Sequence, residues 1–506
     1  MVFRVHLVGS HLSIPPRCRI TYYSCFIFSY NRSLFSNSGP RGIRTLGLLN
    51  AIETRSQLRY GPNFSIVNGP FPASGPGGIR TLGLFSAIEA RSQLRYRPSI
   101  IAGDDFNPGK QGCQGHLFCL IILNLWCTII QIQQDWRIFV NQRVNQLIQL
   151  MENENFHALA LNPGPSLSYL SGLHFHLSER PTILLILPGK KPSLILPKLE
   201  LRKVESSGVD YQLFSYSDNP QTWSGAFRAA IQSLGLSHAR IGIEPTQIRF
   251  LELNFLQQAA PEACFLPADH LIGKLRLQKD EHELKQMHIA VSICQAGLKA
   301  TLPFLRVGIS EKEIASELTY QLLKAGSEPN LGFYPIVASG PNSAVGHHFP
   351  SDRKIQAGDL LVIDWGASFA GYIADLTRTF AFGKVDPQWI RIAQVVLQAN
   401  LAARNAVKPG VKAGIVDQTA RQVIEAAGYG SNFVHRTGHG IGLEVHEPPY
   451  IFSENELILE PGMTFTIEPG IYLTGMGGVR IEDNVAVTPG GYNCLSDLPR
   501  DLVIID

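Results

Sequence analysis

The 506-residue chain lacks the features that mark several large classes of protein. No apolar run reaches the ~20 residues that a membrane-spanning helix needs. The longest candidate, LFCLIILNLWCTII over 117–130, falls short, so no membrane association is expected. Charged residues make up only 17% and balance to +3, so the charge shows no call for a polyanion and no nucleic-acid partner is expected. The eight cysteines form no C-x-x-C pair, and only Cys264, Cys294 and Cys494 lie beyond residue 130. Three dispersed thiols exclude a zinc cluster and a disulfide framework, and they fit the reducing conditions of the cytoplasm. A G-x-x-x-x-G-K-[ST] phosphate loop is also missing.

One shortage is local. Residues 1–100 hold twelve arginines but no lysine and no aspartate, with Glu53 and Glu89 the only acids. That stretch carries +10, which leaves −7 for the rest of a chain whose total is +3. It also repeats itself: GPRGIRTLGLLNAIETRSQLRYGP (39–62) returns as GPGGIRTLGLFSAIEARSQLRYRP (75–98), with 19 of 24 positions identical. Two copies are too few for a stacked repeat array. Arg- and Ser-rich, acid-poor sequence is the composition of a transit peptide, which would place the protein in an organelle. The alternative is translated upstream DNA, with the true start between Arg137 and Met151. Residues 1–136 are therefore set apart as an extension.

Beyond it the chain reads as folded protein. WRIFVNQRVNQLIQLMENEN (136–155) has helical spacing, and HALAL (157–161), TILLILP (182–188), PSLILP (192–197) and RIGIEP (240–245) read as strands. PQTWSGAFRAAIQSLGL (220–236) and TQIRFLELNFLQQAA (246–260) read as helices between them. Alternating strands and helices predict an α/β domain over 137–268. It gathers no titratable cluster, so its expected role is to wall a pocket or make an oligomer contact. The charged segment over 274–302 reads as strongly helical and leads into a second domain, 269–506.

The second domain places carboxylates where they are costly. LLVIDWGASFAGYIADLTRTFAFG (360–383) reads as a strand ending at Asp364, a glycine-marked turn, and a return strand carrying Asp375. Glu468 ends a strand in GMTFTIEPGIYL (462–473), and Glu482 sits in the apolar alternation of GVRIEDNVAVTPGG (478–491). An acid in an apolar run must be paired or bound to a metal. Each glutamate alone could be a salt-bridge partner. Together the four acids offer oxygen ligands that lack a nitrogen, and HRTGHGIGLEVHEPP (435–449) supplies one. His439 lies between two glycines small enough to let the backbone approach a buried centre, with His435 and His446 flanking it. Five ligands suffice for two bridged divalent ions.

These stretches resemble the pita-bread metallopeptidases, and within them the Xaa-Pro peptidases, aminopeptidase P and prolidase. The resemblance rests on Asp364, Asp375, His439, Glu468 and Glu482 in that order, inside DWGASFAGYIADLTRT, HRTGHGIGLEVHEPP, TIEPGIY and GGVRIEDN. It is strongest over the second domain, extends to a creatinase-type amino-terminal α/β domain, and covers none of residues 1–130. It implies an α+β catalytic domain of two pseudo-twofold halves around a curved antiparallel sheet. By that resemblance Asp364 binds one metal, Asp375 and Glu482 bridge, and His439 and Glu468 complete the second ion. Glu468 also takes the proton of the attacking water. His347, in SGPNSAVGHHFP (339–350), contacts substrate, His446 stabilises the tetrahedral intermediate, and His435 and Arg480 line the pocket. Relatives often carry Pro-His where this chain has Gly346-His347-His348, which leaves His348 as a substitute for His347. The expected activity is hydrolysis of Xaa-Pro bonds at the amino terminus of proline-containing peptides by an aminopeptidase P, with prolidase as the alternative. A non-catalytic binding module of the same fold is the reading from a different class. The oxygen-rich donor set suits Mn(II), with Co(II), Fe(II) or Zn(II) as alternatives. A homodimer is expected.

Overall fold

The computed structural model describes residues 142–506, all within one compact unit that spans Ile138–Asp506. The repeat and the arginine-rich start lie outside the described residues. Helix α1 (142–153) leads into strands β1 (Ala158–Leu161), β2 (Ile183–Ile186), β3 (Ser193–Pro197), β4 (Gln212–Tyr216), β5 (Arg240–Ile243) and β6 (Cys264–Pro267). They form one sheet in the order β4-β3-β2-β1-β5-β6. Pairs β1–β2 and β2–β3 are antiparallel and the others parallel. Strand alternation sends Ala158 and Ala160 to one face and Leu159 and Leu161 to the other, so the sheet separates two apolar layers. Trp223, Phe227, Ile231 and Leu234 of one helix (Trp223–Leu234) fill the first layer, and Leu147, Met151, Leu167 and Leu271 fill the second. The expected α/β arrangement is present.

The segment read as helical over 274–302 is helical, and it is divided between two helices, Asp269–Leu277 and Glu281–Thr301. Asp280 explains the break. Its side chain accepts from Glu283 N at 2.8 Å while Glu283 Oε2 accepts from Asp280 N at 2.9 Å, a capping box that starts a new helix. The three residues between the helices pair elsewhere, with Lys279 N donating to Gly462 O at 2.8 Å.

Two helix pairs follow, each ahead of a sheet. Helices Glu281–Thr301 and Glu311–Ala325 precede β7 (Ile336–Ser339), β8 (Leu360–Phe369) and β9 (Tyr372–Phe382), which pair antiparallel. Helices Pro387–Ala406 and Ala413–Ala426 precede β10 (Gly438–Gly440), β11 (Glu447–Ile451), β12 (Thr464–Ile467), the ribbon β13 (Gly470–Leu473) with β14 (Gly477–Arg480), and β15 (Asp483–Thr488). Each half has its own apolar cluster, one built around Trp365 and Leu376, the other around Phe465 and Ile481. Trp365 ties its strand to the helix behind it, donating from Nε1 to Cys294 O at 2.9 Å. An isolated bridge between Thr377 and Glu482 joins the two sheets.

The hairpin differs from its sequence reading. Strand β8 does not end at Asp364 but runs on to Phe369, and the turn falls at Ala370 and Gly371, both at positive φ. Gly366 is no turn residue: a Cβ there would meet Leu331 O at 2.6 Å and Ala374 O at 2.9 Å, so glycine is needed for close packing in mid-strand.

Candidate metal centre

Strand pairing brings the two aspartates together. Asp364 stands opposite Thr377, and Asp375 opposite Gly366, on adjacent strands. Glu468 follows the last residue of β12, and Glu482 lies in the two-residue step between β14 and β15. His439 is the middle residue of β10, flanked by β11 and β12. Its neighbouring glycines serve this packing: a Cβ on Gly438 would strike Thr466 O, and one on Gly440 would strike the carbonyls of Glu447 and Pro448. The glycines admit neighbouring strands, which in turn aim the histidine.

Asp375, His439 and Glu482 offer ligand atoms that all lie within 4.8 Å of one another, and all three residues are buried. Glu468 Oε1 is 3.4 Å from His439 Nε2, and Asp375 Oδ2 is 3.7 Å from the same nitrogen. His439 Nδ1 faces Gly440 O at 3.1 Å and donates to it, so Nε2 carries the lone pair. Burial first, then His446, lowers the His439 pKa to about 3, so the ring is neutral. A lone pair facing carboxylate oxygens suits a cation held between them.

The acids lead to the same conclusion. Burial, then Glu482 and Asp364, pushes Asp375 well above the carboxylate range. Burial, then Glu468 and Asp364, does the same to Glu482. Glu468 rises to about 7, through burial opposed by Arg480. Among the described residues, Asp364 Oδ1 and Asp375 Oδ1 are the buried side-chain polar atoms with no hydrogen-bond partner. Unsatisfied buried oxygens are expensive unless something positive meets them. The donor set therefore fits divalent cations.

Other side chains orient the site. Asp375 is held through its backbone, with N donating to Asn484 Oδ1 at 3.0 Å and O accepting from Asn484 Nδ2 at 2.7 Å. Thr377 Oγ1 donates to Glu482 Oε2 at 2.7 Å. Arg480 Nη2 donates to Asp364 Oδ2 at 2.6 Å, and Nη1 to the Tyr472 hydroxyl at 2.9 Å. Tyr472 in turn bonds His435 Nε2 at 2.9 Å, because His435 Nδ1 donates to Arg436 O. Burial lowers His435 to about 4. His446 meets the His439 ring edge-on, with centroids 4.1 Å apart. His347 is exposed near these rings, and its charge acts on both His435 and His446.

His348 is placed differently from His347. Its Nε2 lies 2.9 Å from Glu311 Oε2, a carboxylate that also accepts from Ser339, Asn342 and Ser351. The ring anchors the loop on which His347 projects. Sequence reading did not single out Tyr472, Thr377, Asn484 or Glu311. The strand alternation that placed Glu482 could have flagged Tyr472, since YLTGMGGVR puts it opposite Gly478 across a hairpin. Ser166, Glu244 and Gln247 of the α/β domain reach Arg276, Glu444 and Glu447 beyond it, so that domain contributes a single titratable side chain, Glu244, to a cluster outside the metal centre.

Comparison with known proteins accords with this geometry. A family model described as metallopeptidase family M24 matches residues 285–489, and one described as the creatinase/prolidase N-terminal domain matches 143–278. The Xaa-Pro dipeptidase of Pyrococcus horikoshii is 33% identical over 368 residues, 72% of this chain and 99% of that protein. A crystal structure of a dipeptidase from the same organism superposes with a TM-score of 0.68 at 38% identity, over 72% of this chain and 100% of that one. An X-Pro aminopeptidase from Thermotoga maritima superposes at 0.64 with 31% identity, over 72% of this chain and 99% of that one. The two-domain architecture, creatinase-type domain followed by pita-bread domain, is that of these neighbours.

Proposed function

The chain belongs to metallopeptidase family M24, and from its site and its relatives we propose that it is an Xaa-Pro dipeptidase, a prolidase, rather than the aminopeptidase expected from sequence. The observation that carries a hydrolytic reading is the convergence of Asp364, Asp375, His439, Glu468 and Glu482 with two unpartnered aspartate oxygens among them. The dipeptidase branch is supported by relatives named Xaa-Pro dipeptidase, each about a third identical across nearly its whole length. A binding module with no catalysis would have no use for the complete set.

In this reading Asp364, Asp375, His439, Glu468 and Glu482 would hold two divalent ions, with manganese the favoured metal. When bound, such a pair polarises the scissile carbonyl and acidifies water. Glu468 takes the proton of the attacking water at its carboxylate and passes it to the leaving proline nitrogen. His446 donates to the carbonyl oxygen as negative charge develops there, and His347 contacts the substrate from its exposed loop. Arg480 and Tyr472 fix His435 as a neutral wall of the pocket. The two domains of the folded part divide at 268/269 in this reading.

A dipeptide differs from a longer substrate by a free carboxylate one residue beyond the scissile bond. Arg436 is the cation suited to it. Its guanidinium lies 4.5 Å from the Tyr450 ring centroid, it forms no ion pair among the described residues, and its charge acts on His439, His446 and Glu468.

The test is hydrolysis of Gly-Pro, Gly-Pro-Pro and Met-Ala-Ser by protein stripped of metal and resupplied with Mn(II). Cleavage of Gly-Pro alone is expected. Cleavage of Gly-Pro-Pro would return the aminopeptidase reading, and cleavage of Met-Ala-Ser would overturn both.

A further inference from the structure

His446 has no anchor of its own. Its ring makes no hydrogen bond with any described residue, so the backbone around it sets its position. That backbone is held by its two acidic neighbours, Glu444 and Glu447. Glu447, 4% exposed, accepts from Lys279 Nζ at 2.7 Å through Oε1 and from Arg276 Nη2 through Oε2. Glu444 Oε2 lies 2.7 Å from Arg276 Nη1, and its Oε1 accepts from Gln247 Nε2 at 2.8 Å. Arg276 Nη1 also donates to Ser166 Oγ at 3.3 Å, which donates to Glu244 at 2.6 Å.

The cluster is built for position. One planar guanidinium spans both glutamates, which fixes their separation and hence the backbone carrying His446 between them. Space is reserved for it: a Cβ on Gly442 would meet Glu447 Oε1 at 2.6 Å and Lys279 Cε at 2.9 Å. Burial would raise Glu447, but the charges of Lys279 and Arg276 hold it below its ordinary value, so the ions stay paired. An ion cluster this dry adds little stability over an apolar filling, which makes placement its better explanation. None of these groups is a metal ligand. Ser166, Glu244 and Gln247 lie in the creatinase-type domain, and Arg276 and Lys279 lie on the passage out of it.

We propose that Arg276 and Lys279, backed by Gln247, are positioning residues for His446, through which the amino-terminal domain contributes to the rate of hydrolysis. The inference rests on the catalytic role given to His446 above. The same cluster fixes the loop at two points on either side of the imidazole, so its loss leaves metal and pocket in place and frees the ring to wander.

The experiment is a set of double-mutant cycles on the full, Mn(II)-loaded chain with Gly-Pro as substrate. Arg276→Met, Lys279→Met and Gln247→Leu are each made alone and with His446→Ala. Each single change is expected to lower kcat, Arg276→Met by roughly ten- to a hundred-fold, with metal content retained and KM little changed. Arg276→Lys should recover part of the loss. In the His446→Ala background the same changes should cost less than about two-fold more. Losses that multiply with His446→Ala would overturn the inference and leave the hydrolytic reading intact. Full activity of His446→Ala alone would instead sink the role of His446 and this inference with it. If Arg276→Met does not fold, the Lys279 and Gln247 cycles decide the matter.

Discussion

Arg480 and Asp364 meet at 2.6 Å although they lie 116 positions apart and on different sheets. The guanidinium takes one oxygen of the aspartate, Oδ2, and leaves Oδ1 without a protein partner. It also holds the Tyr472 hydroxyl, which in turn bonds His435. Tyr472→Phe removes the link and leaves buried groups unsatisfied, which costs about 1–3 kcal/mol. The expected result is a lower denaturation midpoint and a reduced kcat/KM with metal content unchanged, read by chemical denaturation and metal analysis.

Removing metal should destabilise the protein strongly, since a ligand bound only by the native state adds about 3 kcal/mol per site at a hundred-fold excess over its dissociation constant. Melting with Mn(II) and with chelator should therefore differ by many degrees. Glu482→Gln should abolish that difference. Its metal-free form should melt no lower than the metal-free parent, because an amide replaces a charge crowded by Asp364 and Glu468. A preserved metal response in Glu482→Gln would exclude it as a ligand.

Glu311 gives a pH signature away from the metal centre. Burial would raise its pKa, but hydrogen bonds from Ser351, Asn342, His348 and Ser339 bring it down to about 2. A depressed native pKa means stability fully present above the ordinary glutamate value near 4.5 and lost as pH falls toward 2. The drop amounts to about 3 kcal/mol. Glu311→Gln should show a shallower decline of denaturation free energy across that window. It should also weaken substrate binding by loosening the loop that carries His347.

Arg436→Gln should raise KM for Gly-Pro at least ten-fold, the effect of losing a charge-assisted contact worth about 1.5–3 kcal/mol. The same change should leave KM for Gly-Pro-amide nearly unaltered, since that substrate has no carboxylate to lose. Equal losses on both would remove Arg436 from substrate recognition.

Much of the site was legible in the sequence because burial penalises isolated charge. Asp375 and Glu482 stand out in apolar runs, and glycines around His439 mark strands packed closely on both sides. The strand and helix alternation before residue 268 was legible for the same reason of period. What the sequence hid is partner choice over long separations. Glu447 looks like any loop acid until Arg276, 171 residues earlier, is folded against it. His348 looks like a second substrate contact until Glu311 claims it. Gly366 looks like a turn residue, and only the neighbouring carbonyls reveal a strand pressed too close for a side chain. The helix break at Asp280 was readable in principle, since Asp-x-x-Glu is a start signal, but continuous apolar spacing on both sides masked it.

The division of the catalytic domain into two halves gives the metal centre a particular status. Asp364 and Asp375 come from the first half, whereas His439, Glu468 and Glu482 come from the second. Neither half alone supplies all five proposed ligands, so cations bound there would act as rivets across a seam otherwise closed by contacts such as Thr377 with Glu482. Fragments cut between Phe382 and Pro387 would then reassemble more readily with metal than without it, and loading would report on the joining of halves as much as on readiness for chemistry.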